Sequence, residues 1–540
     1  MNRNHACGAA ARCCVGLLIL VSCVWAQESS SPRHTGVPQD WSEHHVVFSL
    51  QGLLQHPDLM LREPRVRNQV MQRYRSADSQ FAGGANRNSN LGTFQNHRDW
   101  NVSLVRGHIA PDMYPAKFSF DPGAAPSCAN DYVVFGVNVA GATGGQANLV
   151  AFNNLYSGTG GMCGAAPTVL FAYNVTTVKG GKVLLSPVIS LDGTKIAFVE
   201  SVGTSTIFHV LTWAANQGTI AKAVAPTTMT SLTISATATS TTSSPWIDYN
   251  TDTAYMGVDG GLLYKVSGVF HGTPALVAPF PITVSGGHHL SPPVLDNRLN
   301  VLMVGSANGN LYQVDANTGH LSVLGVGSHS GTTPGILAAP IIDVTNGTTF
   351  VVSANDGFSA VLVEVDTSTL LLLADARIGL GSAGGLGLSI QQPAFSNDYY
   401  NDPSTGVIRL CGTGAADTTP YQYAFGFTGR TMNTAPVFSQ QLLTSTAATC
   451  SGWTEFYNPN VGGGTDFFFF GLTQDCSGTG TSGCVVARTT DVAPLVTAPV
   501  TGGPSGIVID NYSLAGQASS IYLTAEGANT AYKFTQNGLL

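Results

Sequence analysis

The feature that most limits what this chain can fold into is a recurring punctuation mark: a small residue and a proline just before a short apolar run. The clearest copies are Ser186-Pro187-Val188-Ile189, Ser244-Pro245-Trp246-Ile247-Asp248, Ser291-Pro292-Pro293-Val294-Leu295-Asp296 and Ala339-Pro340-Ile341-Ile342-Asp343. Gln392-Pro393-Ala394-Phe395 and Ala435-Pro436-Val437-Phe438 continue the series, with weaker ends at Ala125-Pro126 and Pro504-Ser505-Gly506-Ile507. The intervals between these prolines run from 43 to 68 residues, the length of a four-stranded unit with variable loops. A second strand, a glycine turn and a third strand follow the better anchors, as in "VLMVGSANGNLYQVDANTG" after Pro292. Asn308-Gly309, Asp259-Gly260 and Asp356-Gly357 supply the positive φ that such hairpin turns need. Proline at the first residue of a strand costs little, because no ladder hydrogen bond is required of it there.

Radial repetition of such units buries both faces of each sheet against its neighbours and leaves only short edges exposed. The expected fold is therefore all-β, a β-propeller. Eight anchors favour eight blades, with seven as the alternative if a weak end anchor starts no blade. The chain end leaves no room for a last strand after "TAYKFTQNGLL", so an N-terminal strand, "AKFSFD" at 116–121, is expected to complete the final blade.

Charge divides the chain near residue 112. Residues 27–112 hold 9 Lys+Arg and 8 Asp+Glu, whereas 113–540 hold only 12 and 23 in 428 positions. The expected layout is a signal peptide at 1–26, an N-terminal accessory segment and linker at 27–112, and a propeller at 113–540. The acidity of the long part argues against nucleic acid as a partner, since phosphate contacts need a basic surface. In the accessory segment, "EPRVRNQVMQRYR" has helical spacing after Pro64, and "FAGGANRNSN" has linker composition. "DWSEHHVVFS" reads as a short strand, which would turn His44 and His45 to opposite faces, one exposed and one packed.

The leader has a basic start (Arg3, Arg12) and the apolar run Val15–Val21, too short to span a membrane. Trp25-Ala26-Gln27 favours cleavage as a secretory signal. Leu20-Val21-Ser22-Cys23 is the alternative, a lipoprotein box that would anchor the chain through Cys23. No later run is long enough for a transmembrane segment. The expected address is outside the cytoplasm: secreted, periplasmic, or on the outer membrane as a lipoprotein. Six cysteines remain after the leader, Cys128, Cys163, Cys411, Cys450, Cys476 and Cys484. An even number in an exported chain points to three disulfides, with 15 pairings open. Cys476 with Cys484, which enclose a Gly/Ser loop, is the first pair expected.

"GSANGNLYQVDANTG" (305–319) resembles the repeat of quinoprotein-type propellers, and "SPVISLDGTKIAFVE" (186–200) is similar to the repeat of TolB-type propellers. The resemblance implies the fold, and the overall layout is similar to that of exported bacterial propeller proteins. The quinoprotein chemistry does not follow. Such enzymes are expected to carry adjacent cysteines over the cofactor, and the only Cys-Cys here is Cys13-Cys14 in the leader. No Cys-x-x-Cys-His, Gly-x-Ser-x-Gly or calcium-loop pattern occurs. No cofactor and no metal are expected.

Ligand contacts are expected in the loops at one mouth of the channel. His288 and His289 precede Pro292 and His329 precedes Pro340, so the two loops could bring imidazoles together. Glu455, among aromatics in "GWTEFYN", and Asp398 and Tyr399, in "SNDYYNDP", are the other candidates. Asp248, Asp296, Asp343 and Asp510 end inner strands and read as turn formers. The functional expectation is a binding or interaction module for an unidentified protein or carbohydrate. The alternative is a propeller enzyme, either acting on carbohydrate as a hydrolase or lyase or a degenerate quinoprotein dehydrogenase.

Overall fold

The computed structural model describes residues 36–78 and 96–536. The exceptions are 108–109, 111–112, 121–125, 236–240, 328–330, 358, 379–391, 413–418, 445–447, 459–463, 475, 477–481, 490–494, 511–516, 518–519 and 527. Eight antiparallel sheets follow one another along the chain. Their first strands, in order, are Ala116–Ser119, Val188–Ile189, Trp246–Asp248, Val294–Asp296, Ile341–Asp343, Ala394–Phe395, Thr454–Asn458 and Val508–Asp510. Hydrophobic clusters lie between consecutive sheets, and one that spans blades 2 to 5 also takes in Trp41, Phe48, Leu53 and Val66. One joins blades 1 and 2 (Phe118 and Phe171 with Phe198 and Leu211), another joins blades 7 and 8, and a third joins blade 8 back to blade 1 (Tyr522 with Phe135 and Phe152). The ring is closed, and the protein is an eight-bladed β-propeller.

The proline anchors mark six of the eight first strands. Pro126 follows the first strand of blade 1, which starts after Tyr114-Pro115 instead, and Pro436 leads into Phe438–Gln441, the outer strand of blade 6. Blade 7 starts after Ser451-Gly452-Trp453. What blade 7 retains is the serine three residues before the strand. Ser243, Ser291 and Ser451 occupy this position in blades 3, 4 and 7. Their Oγ atoms accept the N–H of Gly257, Gly305 and Gly471 in the neighbouring strand, at 2.8, 2.9 and 2.7 Å. Only glycine fits: a Cβ on Gly305 would stand 2.1 Å from Ile336 Cγ2, and one on Gly471 2.2 Å from Pro504 Cγ.

Closure differs from the expectation. The outer strand of blade 8 is Asn96–Ser103, antiparallel to Thr530–Gln536, whereas "AKFS" is the innermost strand of blade 1 proper. The physical reason is burial. All four residues of Ala116–Ser119 are buried and suit a channel-side position, while the strand Asn96–Ser103 buries Trp100 and exposes His97, Arg98, Asn101 and Ser103, as an outer strand does. Buried ion pairs fasten this seam: Lys117 Nζ lies 2.7 Å from Asp510 Oδ2 between blades 1 and 8, and Lys533 Nζ 2.6 Å from Asp99 Oδ2 within blade 8.

Three disulfides join Cys128 to Cys163, Cys411 to Cys450 and Cys476 to Cys484. Disulfides of this number are the mark of an oxidising, non-cytosolic compartment. Among the described residues no helix is long and apolar enough to cross a membrane. Residues 81–90, read above as a linker, lie outside the described residues, as does the leader.

Candidate functional site

Propellers leave an axial channel where the first strands converge, and here the chain fills it with its own residues 36–78. Val37–Gln39 pairs antiparallel with the free edge of Ala116–Ser119 in blade 1, and also lies against the first strands of blades 2 and 8. A 3-10 turn, Trp41–His44, follows. Asp40 caps it by accepting the Ser42 N–H, and Trp41 Nε1 donates to the Pro245 carbonyl at the entry of blade 3. Val46–Val47 then runs parallel to Ile341–Asp343 of blade 5, where His45 Nδ1 meets the Pro340 carbonyl at 3.1 Å. The expected strand around the two histidines is therefore half a turn. His44 ends the 3-10 turn and is half-buried, while His45 is buried. Burial holds both imidazoles neutral, pushing His44 down to about 3 and His45 to about 4.

Two short helices, Leu50–Gln55 and Leu59–Arg62, lead into Pro64–Asp78, the helix that the sequence spacing anticipated. Arg65, Asn68, Gln69, Gln72 and Arg73 share one side of it by the 3.6-residue period. Arg65 is fully buried. It donates to Glu63, to Ser42 Oγ and to the Ile247 carbonyl of blade 3, and stacks over Trp246. Glu63 reaches Asn297 beside blade 4. Arg73, one turn from the helix end, donates to Asn397 of blade 6 and to both oxygens of Glu455 in blade 7, and lies over Tyr400. The filling segment thus touches the first strand, or the turn just after it, in every one of the eight blades.

This network carries more acid than base. Asp40, Glu43 and Glu63 surround Arg65, and burial pushes Glu43 up to about 8 despite the guanidinium nearby. Asp466, next to Glu455 on the neighbouring strand, is raised to about 8 by burial and by the Glu455 charge. Between the helix and blades 6 and 7 remains a polar cavity with about 40 Å³ open to water-sized molecules. Glu43, His44, Gln69, Arg73, Trp453 and Glu455 line it. That space suits a few water molecules.

Against this geometry the candidates from the sequence separate. Glu455 lies on the first strand of blade 7 and not in a loop insertion, and its side chain is 6 % exposed and paired with Arg73. Tyr399 does not reach solvent: it is fully buried against Phe395 and Phe427, its hydroxyl donating to Asp343 Oδ2 at 3.0 Å. The short helix Asn397–Asn401 turns Tyr399 inward and leaves Asp398 exposed. His288 is half-buried; His289 is exposed, with Nδ1 2.9 Å from Asp259 Oδ1 in the adjacent turn of blade 3. His329 lies outside the described residues, so no meeting of the two histidine loops is described. Among the described residues no group of three His, Cys, Asp or Glu is placed to hold a metal ion. Asp248, Asp296 and Asp343 accept N–H groups from the turns that follow them, whereas Asp510 pairs with Lys117.

Sequence reasoning missed Arg65, Glu63, Glu43 and Arg73 as channel residues. The available signal was the contrast between a charge-rich segment with a one-sided polar helix and a charge-poor body.

No family model matches the chain, and no curated protein does. Among solved structures it is similar to BamB from Moraxella catarrhalis (12 % identity, 82 % of this chain and 97 % of that chain, TM-score 0.46). It is also similar to the Dos1 propeller (12 %, 82 % and 95 %, TM-score 0.49) and to Saccharomyces cerevisiae Sqt1 (10 %, 82 % and 99 %, TM-score 0.47). At such identities no residue role carries over.

Proposed function

We propose that the protein is an exported bacterial propeller of the quinoprotein-like and TolB-like kind, serving as a binding module outside the cytoplasm for a protein or a carbohydrate. The observation that carries this reading is the filled channel. The place where a propeller gathers side chains from all its blades is taken by residues 36–78, and the buried acids and bases there are largely engaged with one another. A partner is left the loops of the two faces and the outer strands. The three disulfides support an address beyond the cytosol, with either free secretion or anchorage through Cys23.

The test uses the purified full chain with its disulfides intact, offered cellulose, chitin, xylan and peptidoglycan, and separately pyrroloquinoline quinone. Saturable binding to one polymer without release of product supports the reading. Turnover that disappears in Glu455→Ala, or in the double variant His288→Ala, His289→Ala, overturns it in favour of a propeller enzyme.

A further inference from the structure

A second polar network lies in blade 2, far along the sequence from the channel segment, and it ends at the surface. It crosses three adjacent strands, Lys195–Val202, Ser205–Thr212 and the outer strand Thr228–Ser235. In the ladder His209 stands directly opposite Ser231, and its Nδ1 lies 2.9 Å from Ser231 Oγ. On the other side of the ring, Nε2 lies 2.9 Å from Glu200 Oε2. His209 and Glu200 are fully buried, whereas Ser231 is exposed.

The protonation pattern follows from the partners. Burial alone would raise the Glu200 carboxyl. The hydrogen bonds from His209, from the Thr177 hydroxyl and N–H and from the Val178 N–H outweigh it and hold the group below the ordinary carboxylate range. An ionised Glu200 only accepts, so Nε2 carries a hydrogen, and in the neutral imidazole Nδ1 offers its lone pair. In that form the Ser231 O–H donates to Nδ1. The seat of the carboxylate is built for it: a Cβ on Gly181 would fall 1.8 Å from Glu200 Oε1. Only four glutamates lie beyond residue 112, and this one is buried behind a histidine that faces an exposed hydroxyl.

We propose that Ser231, His209 and Glu200 form an acyl-transfer triad on the outer edge of blade 2, acting on esters of small acyl groups. Ser231 Oγ attacks the acyl carbon as its proton passes to His209 Nδ1. The C–O bond to the alcohol then breaks, the alcohol taking that proton, and water releases the acyl group from Ser231 by the same steps in reverse roles. Glu200 is a positioning residue that fixes the tautomer. Thr228–Ser235 pairs with one strand only among the described residues, so alternate N–H groups face outward. Whichever set that is, one belongs to Ser231 or to Leu232 beside it, where a developing oxyanion needs a donor.

The experiment labels the full, oxidised chain with a fluorophosphonate probe and quantifies modified peptides by mass spectrometry, with p-nitrophenyl acetate hydrolysis as a second readout. Ser103, an exposed serine at the end of the outer strand of blade 8, is the internal reference. Ser231 is expected to label at least about tenfold faster than Ser103. His209→Gln is expected to slow Ser231 by on the order of 100-fold, and Ser231→Ala to abolish acetate release. Glu200→Gln is expected to lower the Ser231-to-Ser103 ratio, which a purely structural carboxylate would leave unchanged. Equal labelling of the two serines in the unmodified protein overturns the proposal, and so does an unchanged ratio in Glu200→Gln. Both readings hold even if His209→Gln fails to fold.

Discussion

The channel segment buries many charges for its length, and the blade wall few. The wall is assembled from apolar strands and a small repeated fitting, in which the hydroxyls of Ser243, Ser291 and Ser451 seat the backbone of a glycine that admits no side chain. It contains few charges, and its cores lie between blades. Residues 36–78 instead bring Asp40, Glu43, Glu63, Arg65 and Arg73 into the interior and address each blade through a different contact. The difference teaches that eight similar blades can each be built from local interactions, while closing the ring takes one distant strand and two buried ion pairs. An occupant of the axis meets eight non-identical neighbours and so depends on specific, charged and individually irreplaceable contacts.

The largest effect is expected where that dependence is greatest. Arg65→Met removes the cation shared by Asp40, Glu43 and Glu63 and leaves buried acids uncompensated. It should cost about 3–5 kcal/mol in urea unfolding, and a loss below about 1 kcal/mol would break the contrast with the wall.

The next effect is a dependence on pH, set largely where the segment meets blade 7. Glu43 and Asp466 bind their protons more tightly folded than unfolded. The stability they contribute is complete below the ordinary values of 4.5 and 3.8 and is lost as pH rises to about 8. His44 and His45 act oppositely: their contribution is complete above 6.5 and is lost as pH falls toward about 3 and 4. The two trends offset each other between about 4.5 and 6.5. With Glu364, raised to about 7 by burial in blade 5, adding to the loss, the urea midpoint should fall from pH 6.5 to 8, and fall less in Glu43→Gln. A midpoint that rises over 6.5–8 would contradict this account of the segment.

A wall substitution ranks third. Gly305→Ala forces a methyl onto Ile336 and should cost about 1–3 kcal/mol, measured by the same titration and unaffected by pH between 5 and 8. The smallest effect is expected in an exposed turn. Asp315 accepts the N–H groups of Asn317 and Thr318, and Asp315→Ala should lose about 1 kcal/mol. A similar loss at the matched Asp366, which accepts from Ser368 and Thr369, would show that the turn contributes the same wherever it recurs.

How much was legible in the chain can be followed residue by residue. The turn at Asn308-Gly309 could be read because its cause is local: Gly309 has φ of 80° between paired strands. The start of blade 7 could not be read from proline, because Trp453 stands where blades 1 to 6 have it, and only the serine three residues before the strand persists. Tyr399 looked like a loop aromatic, because sequence does not show which side chain of a five-residue helix turns inward. Glu455 was noticed for its aromatic neighbours, but its partner Arg73 lies 382 positions away, and nothing local links them. The pairing of His209 with Ser231 depends on strand register, which a one-residue slip would have abolished.

The sequence by itself determined the architecture, because strand, turn and repeat are set by residues within one blade's length: proline and serine before the first strand, glycine in the turns, apolar alternation between. Only the tertiary structure decided which strand closes the ring, what occupies the axis and which acids and bases meet. Those outcomes rest on contacts between residues hundreds of positions apart, whose energy comes from burial and charge pairing inside the closed ring and has no local signature before the ring exists.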